Sequence, residues 1–587
     1  MRSTSQKKWI SWIRLAGTSA MWALATVILS AVITTQSAQA QTFTTLQSFD
    51  FTDGSGSYAS LVQGANGNFY GVSMAGGANS GSTYGYGTVF KITSGGTLTA
   101  LYNFCSLSNC ADGYYPVGTL VLATNGDFYG TAQDGGANGY GTVFKITPSG
   151  TLTTLYNFCS QTNCTDGANP YAGLIQATNG NLYGTTYNGG AHGGGTVFKI
   201  TPTGTLTTVY SFCSQSGCTD GGAPYAGLVQ GTDGNFYGTT FSAGAYSYGT
   251  AFKLTPTGTL TTLHSFCSQG VQLCADGANP IAGLVQATNG NFYGTTSTGG
   301  ANGSTGGSYG TIFEMTPTGT LTALYSFCSQ SGCTDGWASH SSLIQATDGN
   351  LYGTTYLGGA YNYYGGVIYK ITPNLTLTTL YSFDYASGAG PVAGLVQGTS
   401  GTFYGASLGG GSTACGSNGC GTIFSESVGL GPFVQLQATS GKEGAQIGIL
   451  GQGFNSSSVV KFGGTQATTI TRTGTTSIKA TVPAAALTGA VTVTTGATTL
   501  TSSQTFRVTP TLVSFSPPSG PVGTPVTITG TGLIQATKVT FNGKSASFTA
   551  TSDAQISTTV PTGATTGKIM VTTPGGSATS TTSFTVN

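Results

Sequence analysis

Residues 173–212 read GLIQATNGNLYGTTYNGGAHGGGTVFKITPTGTLTTVYSF, and this stretch decides the fold because variants of it recur along the chain. It holds four short segments rich in Thr, Val, Leu, Tyr and Phe, at Gly173–Thr178, Asn181–Thr186, Gly195–Thr201 and Thr205–Phe212. Gly, Asn and Pro separate these segments, which is typical of strands joined by turns. Nothing in the unit is long and helical, so the pattern predicts a four-stranded antiparallel sheet.

The short motif around Tyr183 identifies the other copies of this unit. Its central tyrosine recurs seven times, as Tyr70, Tyr129, Tyr183, Tyr237, Tyr293, Tyr352 and Tyr404. Four antiparallel strands repeated seven times match the blades of a β-propeller, in which each sheet buries both faces against its neighbours. The sequence therefore predicts an all-β protein with a seven-bladed propeller.

The two ends of the repeat region predict how the ring closes. The region begins with Thr44–Phe49, an outer-strand sequence that lacks the three strands expected before it. It ends with Gly421–Phe424, a third strand with no fourth strand after it. An open solenoid would need capping repeats at both ends. We therefore predict that the N-terminal strand completes the last blade, which places Leu46 and Phe49 beside Ile423 and Phe424.

The sequence motifs of the repeats also resemble those of a known family. The segments are Gly-Leu-Val-Gln (227–230), Gly-Asn-Phe-Tyr-Gly-Thr-Thr (234–240), Gly-Thr-Val-Phe-Lys-Ile-Thr-Pro (141–148) and Thr-Leu-Thr-Thr-Leu-Tyr-Ser-Phe (376–383). They are similar to the GloVer (Gloeo/Verruco) tandem repeat of exported bacterial proteins, over roughly residues 43 to 425. The resemblance implies a secreted or cell-surface protein and carries no assigned activity.

After about residue 430 the aromatic repeats give way to Thr, Ser, Gly and Val. Pro517–Gly523, Val526–Leu533 and Val539–Gly543 resemble an IPT/TIG immunoglobulin-like domain, and Ile449–Phe454 with Val460–Gly464 follow the same order more loosely. This resemblance implies β-sandwiches that act as spacer or adhesion modules. The predicted domains are a signal peptide (1–40), the propeller (41–428) and two sandwiches (429–509 and 510–587).

The first forty residues read as a signal peptide. Basic residues extend to Arg14, an apolar stretch follows from Ala16 to Ile33, and Ala38-Gln39-Ala40 precedes Gln41. This arrangement predicts cleavage after Ala40, with an uncleaved N-terminal anchor as the alternative. The mature protein is therefore expected outside the cytoplasm or at the cell surface, without a membrane span.

The charge balance argues against nucleic-acid binding. Of the 17 Lys and Arg residues, four lie in the leader (Arg2, Lys7, Lys8 and Arg14), which leaves 13 basic against 16 acidic residues. Binding to phosphates requires clustered Lys and Arg that displace counterions. The mature sequence contains no such cluster, so nucleic acid is not an expected partner.

All twelve cysteines occur as six close pairs. They are Cys105/Cys110, Cys159/Cys164, Cys213/Cys218, Cys267/Cys274, Cys328/Cys333 and Cys415/Cys420. In an exported chain this spacing predicts six local disulfides, whose expected role is to pin exposed loops between the blades. Zinc needs four ligands, and pairs on different blades are too far apart to share one ion, so we predict no metal site.

The candidate ligand-binding residues lie in loops. In each blade the first-to-second and third-to-fourth turns are short, whereas the long loops and all the cysteine pairs belong to the opposite face, where binding is expected. Trp337 and His340 depart from the repeat and form either an aromatic platform for a sugar or peptide or a local packing substitution. The loop tyrosines extend this surface or pack the loops. They are Tyr115, Tyr171, Tyr225, Tyr246, Tyr248, Tyr361, Tyr363 and Tyr364.

Catalytic signatures are missing from the sequence. The three histidines and the non-repeating acids Asp134, Glu314, Asp384 and Glu426 form no recognised catalytic motif. The aspartate that precedes Gly in almost every repeat is interpreted as a turn former, with calcium binding as the alternative. We therefore predict no catalytic residue and no cofactor. The sequence favours a non-catalytic binding or adhesion protein for a glycan or protein; a polysaccharide hydrolase or lyase and a structural envelope protein are the alternatives.

Overall fold

The computed structural model describes residues 41–79, 84–269, 274–302, 309–361 and 364–587. The predicted signal peptide and the candidate Tyr363 lie outside these residues. The described part of the chain consists of β-strands, joined by turns and by five short 3₁₀ helices. The 3₁₀ helices are Ser108–Cys110, Thr162–Cys164, Ser216–Cys218, Ser331–Cys333 and Thr413–Cys415.

The first 28 strands form seven four-stranded antiparallel sheets, which we call blades 1 to 7. The strands are β1 Thr42–Ser48; in blade 1 β2 Val62–Gln63, β3 Phe69–Ser73, β4 Thr88–Ile92 and β5 Leu98–Asn103; in blade 2 β6 Val121–Leu122, β7 Phe128–Ala132, β8 Thr142–Ile146 and β9 Leu152–Asn157; in blade 3 β10 Ile175–Gln176, β11 Leu182–Thr186, β12 Thr196–Ile200 and β13 Leu206–Ser211; in blade 4 β14 Val229–Gln230, β15 Phe236–Thr240, β16 Thr250–Leu254 and β17 Leu260–Ser265; in blade 5 β18 Val285–Gln286, β19 Phe292–Thr295, β20 Thr311–Met315 and β21 Leu321–Ser326; in blade 6 β22 Ile344–Gln345, β23 Leu351–Thr355, β24 Val367–Ile371 and β25 Leu377–Ser382; and in blade 7 β26 Val396–Gln397, β27 Phe403–Ala406 and β28 Thr422–Ser427.

The predicted closure of the ring is confirmed. Blade 7 has the strand order β26-β27-β28-β1, so that β1 supplies the outer strand. Thr45 pairs with Phe424 and Gln47 with Ile423, on either side of a register shift. Just beyond the strand, the amide of Phe49 donates to the carbonyl of Gly421 (3.0 Å). The seven-bladed, all-β fold predicted from the repeats is therefore correct.

The tyrosine motif that marks each repeat also joins the blades. The ring of Tyr183 in blade 3 lies 4.2 Å from that of Phe236 in blade 4. Tyr237 and Phe292 repeat the contact at 4.0 Å between the next two blades. The same pair closes the circle, since Tyr404 of blade 7 stacks on Phe69 of blade 1 at 3.9 Å. Every copy of the motif thus packs forward onto the next copy, and the last one packs onto the first.

Glutamines at the ends of the inner strands add a second connection between blades. The side-chain amide of Gln176 donates to the carbonyl of Gly180 in its own turn (3.1 Å). Its oxygen accepts from the amide of Thr124 in the preceding blade (2.9 Å). The same hydrogen bond, from a backbone amide of the preceding blade to a glutamine side-chain oxygen, recurs at five further blade junctions. The accepting residues are Gln230, Gln286, Gln345, Gln397 and Gln63. In blade 2 the position is Leu122, which cannot form this bond.

Glu426 breaks the apolar pattern at the seam of the ring. In blades 1 to 6 the third strand ends in a buried Ile, Leu or Met, which pairs with the Phe or Leu of the tyrosine motif. In blade 7 Glu426 takes this position opposite Phe403, and it is fully buried. Burial raises the pKa of the Glu426 carboxyl to about 7, although the Gln41 amide partly opposes the shift.

The rest of the chain forms two β-sandwiches with the same strand order. Each pairs a four-stranded sheet with a five-stranded one: β29-β31-β35-β34 with β30-β37-β36-β32-β33, and β38-β40-β44-β43 with β39-β46-β45-β41-β42. The first comprises β29 Gln435–Leu436, β30 Ser440–Gly441, β31 Gln446–Leu450, β32 Val459–Phe462, β33 Thr465–Gln466, β34 Ile470–Thr473, β35 Ser477–Thr481, β36 Gly489–Thr495 and β37 Thr498–Val508. The second comprises β38 Thr511–Ser516, β39 Ser519–Gly520, β40 Pro525–Thr531, β41 Lys538–Phe541, β42 Lys544–Ala546, β43 Phe548–Ser552, β44 Gln555–Thr559, β45 Gly567–Thr573 and β46 Gly576–Val586.

The first sandwich lies against the short-turn side of the propeller. The hydroxyl of Thr476 donates to the carbonyl of Ala65 in blade 1 (2.8 Å). The amide of Phe433 donates to the carbonyl of Thr399 in blade 7 (3.1 Å). Both contacts are made by turns on the short-turn side, so they leave the long-loop side of the propeller uncovered.

Replacing Glu426 with Leu should stabilise the protein more at pH 8 than at pH 5. Because the folded-state pKa is raised, the protonated side chain is tolerated below about pH 4.5, and stability is lost as the pH rises through about 7. The shift corresponds to about 3 kcal/mol between the two extremes. Unfolding in urea at both pH values measures it.

Met315, which holds the equivalent position in blade 5, provides the matched control. Met315→Leu removes no titratable group, so it should change the free energy of unfolding equally at pH 5 and pH 8. An equal effect of Glu426→Leu at the two pH values would contradict the assignment of Glu426 as a carboxyl buried at the seam.

Candidate functional site

One side of the propeller carries nearly all of its irregular structure. We call the connection from the outer strand of one blade to the inner strand of the next the crossover loop, and the connection between the second and third strands the 2–3 loop. In every blade a backbone bridge joins the two, as Ala168 to Asn188 does in blade 3. All six predicted disulfides are formed, five in crossover loops and Cys415–Cys420 in the 2–3 loop of blade 7. They indicate folding in an oxidising environment outside the cytoplasm.

The disulfide between Cys267 and Cys274 lies in the interior of its loop. Cys274 is only 7% exposed and Cys267 only 1%, and both pack with Ala278 in a small apolar cluster. The amide of Cys267 donates to the carbonyl of Gly277 (3.1 Å), and the amide of Gly277 donates to that of Cys274 (2.7 Å). Cysteine sulfur behaves as a small apolar group, so here the bond is part of the loop's interior. The predicted pairing is therefore correct, and the buried disulfide lies beneath a loop whose Ser268 and Gln269 are exposed.

The recurring aspartates hold the crossover loops from within. Asp166 is fully buried. Its Oδ2 accepts from the hydroxyl of Tyr156 (2.8 Å) and from the amide and hydroxyl of Ser160 (both 2.9 Å). Its Oδ1 accepts from the amide of Gln161 (3.2 Å). The same set of donors surrounds Asp112, Asp220 and Asp335, so these carboxylates are engaged by protein donors and organise the loop.

The loop after blade 4 shows one substitution in this network. His264 replaces the tyrosine, and its Nε2 lies 2.9 Å from Oδ2 of Asp276. Ser268 donates to the same oxygen through its amide and its hydroxyl. Burial raises the pKa of the Asp276 carboxyl, but the bonds from His264 and Ser268 outweigh burial and hold the pKa below its usual value. His264 thus serves the same loop-building role as the tyrosines.

A cavity of about 460 Å³ opens at the propeller axis on this long-loop side. We call it the axial well. Its floor is a ring of small residues, one from each blade just before the inner strand. They are Ser60, Thr119, Gly173, Gly227, Gly283, Ser342 and Gly394.

The residues of this floor touch one another. A Cβ added to Gly173 would lie 2.3 Å from the carbonyl oxygen of Thr119, which explains why only glycine fits there. The amide of Ser60 donates to the hydroxyl of Thr119 (3.1 Å), and the amide of Gly283 donates to that of Ser342 (3.0 Å).

The wall of the axial well is largely aromatic. Two residues before each floor residue, the chain contributes Tyr58, Val117, Tyr171, Tyr225, Ile281, His340 and Val392. The residue after the second strand adds Tyr187, Phe241 and Tyr356 in three blades, and Leu408 lies two residues after the second strand of blade 7. Tyr171 lies 4.8 Å from Tyr225, and Tyr187 meets Tyr171 edge-on at 5.2 Å. His340 stacks on Tyr356 at 5.1 Å.

The axial well is electrically neutral near pH 7. Within the described part of the chain, no Asp, Glu, Lys or Arg lines it. Burial lowers the pKa of the His340 imidazole to about 4, so the ring carries no charge. Burial, together with Tyr171, Tyr58 and Tyr187, raises the pKa of Tyr225 to about 12. The Tyr171 hydroxyl accepts a hydrogen bond from the Gln133 side chain (3.0 Å).

The structure brings together only some of the ligand-binding candidates. Tyr171, Tyr225 and His340 line the axial well. Tyr115 lies in the crossover loop after blade 1, edge-on to Tyr114 at 4.9 Å. The remaining tyrosines lie in 2–3 loops with 36% to 73% of their surface exposed: Tyr246, Tyr248, Tyr361 and Tyr364.

Trp337 lies away from the axial well. Its backbone bridges to Leu357, and its indole packs edge-on against Tyr309 with ring centres 5.8 Å apart. It joins the apolar cluster between blades 5 and 6. This position matches the packing alternative considered for Trp337 more closely than the platform alternative.

Sequence reasoning missed Tyr58, Tyr187, Phe241 and Tyr356. A usable signal was present, because Tyr58 is in register with Tyr171 and Tyr225, two residues before the small floor residue. The other three each follow the second strand of a blade. Comparing the same position across the seven repeats would have identified both tiers.

The four non-repeating acids do not form one cluster, although Asp384 and Glu426 both lie near Tyr381. Glu314 accepts from the hydroxyl of Tyr293 (2.6 Å) within blade 5. Asp134 accepts from the Asn169 side chain (2.8 Å) near blade 2. Asp384 accepts from Ser387 in the loop into blade 7, and Glu426 is buried at the seam. None of the four lines the axial well.

Asp166→Ala should lower the free energy of unfolding by about 2 kcal/mol, because buried donors on Tyr156, Ser160 and Gln161 lose their acceptor. Asp127→Ala is the control, since Asp127 lies in a solvent-accessible turn and its ion pair with Lys145 is long, at 3.7 Å. The control should change stability by less than about 0.5 kcal/mol in the same urea titration. Equal losses in the two variants would contradict the loop-building role of Asp166.

Comparisons with known proteins agree with this architecture. The IPT/TIG domain model matches residues 510–586. No curated protein matches the chain. Among the described residues, no helix combines the length and apolar character needed to cross a membrane.

Three solved structures illustrate the level of structural similarity. A copper-bound fungal alcohol oxidase of the AA5 family is 13% identical, with 93% of this chain and 99% of that chain covered and a TM-score of 0.43. A luciferin-regenerating enzyme is 10% identical, with 67% and 98% covered and a TM-score of 0.35. SGBP-B from a xyloglucan utilization locus in Bacteroides uniformis is 20% identical, with 26% and 48% covered and a TM-score of 0.14. At these values the similarity carries no statement about activity.

A family model also matches the repeats themselves. The model of the Gloeobacter/Verrucomicrobia repeat matches residues 29–230, 79–274 and 227–477, which together cover more than half of the 587 residues. The predicted family resemblance is thereby confirmed. This chain is a member of the Gloeobacter/Verrucomicrobia repeat family with a C-terminal IPT/TIG domain.

Proposed function

We propose that this protein is an exported, non-catalytic binding protein that holds an uncharged glycan in the axial well. The signal peptide predicted for residues 1–40 would deliver it outside the cytoplasm, and the two sandwiches would serve as a spacer. The observation that carries the proposal is the neutral, tyrosine-lined wall of the well.

The chemistry of the wall suits a sugar. A pyranose ring presents an apolar C–H face and a rim of hydroxyls, so it packs on an aromatic ring while its hydroxyls form hydrogen bonds. Tyr171, Tyr187 and Tyr225 offer ring surfaces and phenolic hydroxyls in one place. A cavity with mostly apolar walls and a few polar groups is the usual form of a small-ligand site.

Size and shape favour a glycan over a folded protein partner. The cavity is concave, and its volume of about 460 Å³ is that of a small-ligand site. A stable interface with a folded protein is instead a broad surface that buries roughly 800 Å² on each partner. A glycoside hydrolase of the usual kind would need two converging carboxyl groups, about 5 to 10 Å apart. None of the four candidate acids lines the axial well, so they give a hydrolase at this site no support.

Removing a wall tyrosine should weaken glycan binding. On a glycan array followed by titration, Tyr171→Ala and Tyr225→Ala should each lower the affinity about tenfold, which corresponds to one lost aromatic contact of about 1.4 kcal/mol. Tyr246→Ala and Tyr361→Ala, at exposed loop tips, should bind as the unaltered protein does. Melting temperatures of all four variants check that the fold is kept.

Two outcomes would contradict the proposal. The first is that the unaltered protein binds no glycan on the array. The second is that Trp337→Ala abolishes binding while Tyr171→Ala does not, which would move the site to the crossover loop between blades 5 and 6.

A further inference from the structure

We propose that the axial well recognises the terminal residues of an uncharged glycan chain end-on, and does not bind an internal stretch of the chain. This inference rests on the proposed glycan-binding function. It follows from the shape of the well, which residues of all seven blades surround and behind which the first sandwich lies on the short-turn side.

The floor and the first sandwich together obstruct the passage of a chain through the propeller. On the short-turn side, Leu436 and Leu450 of the sandwich line a second cavity of about 220 Å³ together with Val62 and Leu122 of the inner strands. The seven small floor residues contact their neighbours around the axis, as the close approach of Gly173 to Thr119 shows. A Cβ on Gly394 would likewise lie 2.8 Å from the hydroxyl of Ser60, across the junction between blades 7 and 1. Below the floor, six blade junctions carry the glutamine bonds described above. A ligand therefore reaches the well from the long-loop side alone.

The wall lacks a lateral exit for a chain that continues on both sides. Each crossover loop donates a backbone hydrogen bond to the 2–3 loop of the preceding blade, and this bond is present at all seven junctions. The donor and acceptor residues are Tyr115 and Tyr86, Asn169 and Tyr140, Ala223 and Gly194, Asn279 and Tyr248, Ala338 and Tyr309, Gly390 and Gly365, and Gly56 and Cys420, at 2.8 to 3.0 Å. Groove-type binding of a polysaccharide requires two opposite openings, and this continuous rim leaves none.

The volume sets the length of chain that enters. At about 460 Å³ the well lies in the lower half of the usual range for small-ligand cavities, roughly 300 to 1,000 Å³. It has room for a terminal mono- or disaccharide. The rest of the chain would extend from the mouth of the well into solvent.

The absence of charge in the described wall selects among chain ends. A terminal uronic acid would bring a carboxylate against Tyr225, Ile281 and a neutral His340. Burying a carboxylate without a cationic partner is unfavourable. The well therefore favours neutral hexose or pentose ends over acidic ones.

Competition between intact and fragmented polysaccharide tests end-on binding. Mannan, galactan, xylan and hydroxyethylcellulose are each offered intact and after partial hydrolysis to ten times as many chain ends, at equal mass. For the polymers that bind, the hydrolysate should compete about ten times better than the intact material. Equal competition by mass, or better competition by the intact polymer, would overturn end-on recognition while leaving glycan binding intact.

A variant that fills the well provides a second readout. Ile281 is a partly exposed wall residue, so Ile281→Trp should block the well and abolish competition by the hydrolysates. Tyr246→Trp, which adds bulk at a loop tip, is the matched control and should leave competition unchanged. Full binding by a folded Ile281→Trp variant would overturn the placement of the chain end in the well. Failure of every polymer and hydrolysate to bind the unaltered protein would overturn the proposed function itself.

Discussion

The contact between the tyrosine of one blade and the Phe or Leu of the next is the interaction on which the rest of the structure depends. Each blade is too thin to have a core of its own, so its buried face exists only through its neighbours. Because Tyr404 stacks on Phe69, the series of contacts has no free end. In blade 7 β1 supplies the outer strand, and its Phe43 packs on Tyr381 and Phe383 from the blade 6 side. Closure thus stabilises all seven blades together.

Repetition and departure from repetition have different roles in this protein. Features that recur in all or most blades, such as the tyrosine motif, the buried aspartates and the glutamine bonds, have structural partners. The positions facing the axis vary instead. Blades 1, 3, 4 and 6 present an aromatic ring there and blades 2, 5 and 7 an aliphatic side chain, so the well offers a ligand both kinds of surface. The repeated positions form the scaffold, and the positions that vary around the axis form the candidate site.

Much of the fold could be predicted from the sequence because it depends on local, repeated patterns. Turn residues, alternating apolar residues and an unpaired strand at each end were sufficient to predict the blades, their number, the closure and the disulfide pairing. Burial was harder to predict than pairing, since Cys274 is enclosed by contacts that its spacing from Cys267 does not reveal.

The axial well was also hard to predict, because Tyr58, Tyr187 and Tyr356 are far apart in the chain and converge only around the axis. Trp337 was a candidate because it departs from the repeat, but in the structure its indole packs on Tyr309. Glu426 was a candidate catalytic acid, and the structure places it in the apolar seam.

Covalent capture of the closing strand tests the central claim most directly. Thr44 lies opposite Ser425 across the β1–β28 pair, where side chains in antiparallel strands approach to about 5 Å. In a Thr44→Cys, Ser425→Cys double variant, mass spectrometry of an unreduced digest should find the peptides that contain these two positions joined to each other, with the six natural disulfides unchanged. If both new thiols stay free in the folded protein, or pair with other cysteines, β1 does not close blade 7 and the ring described here is incorrect.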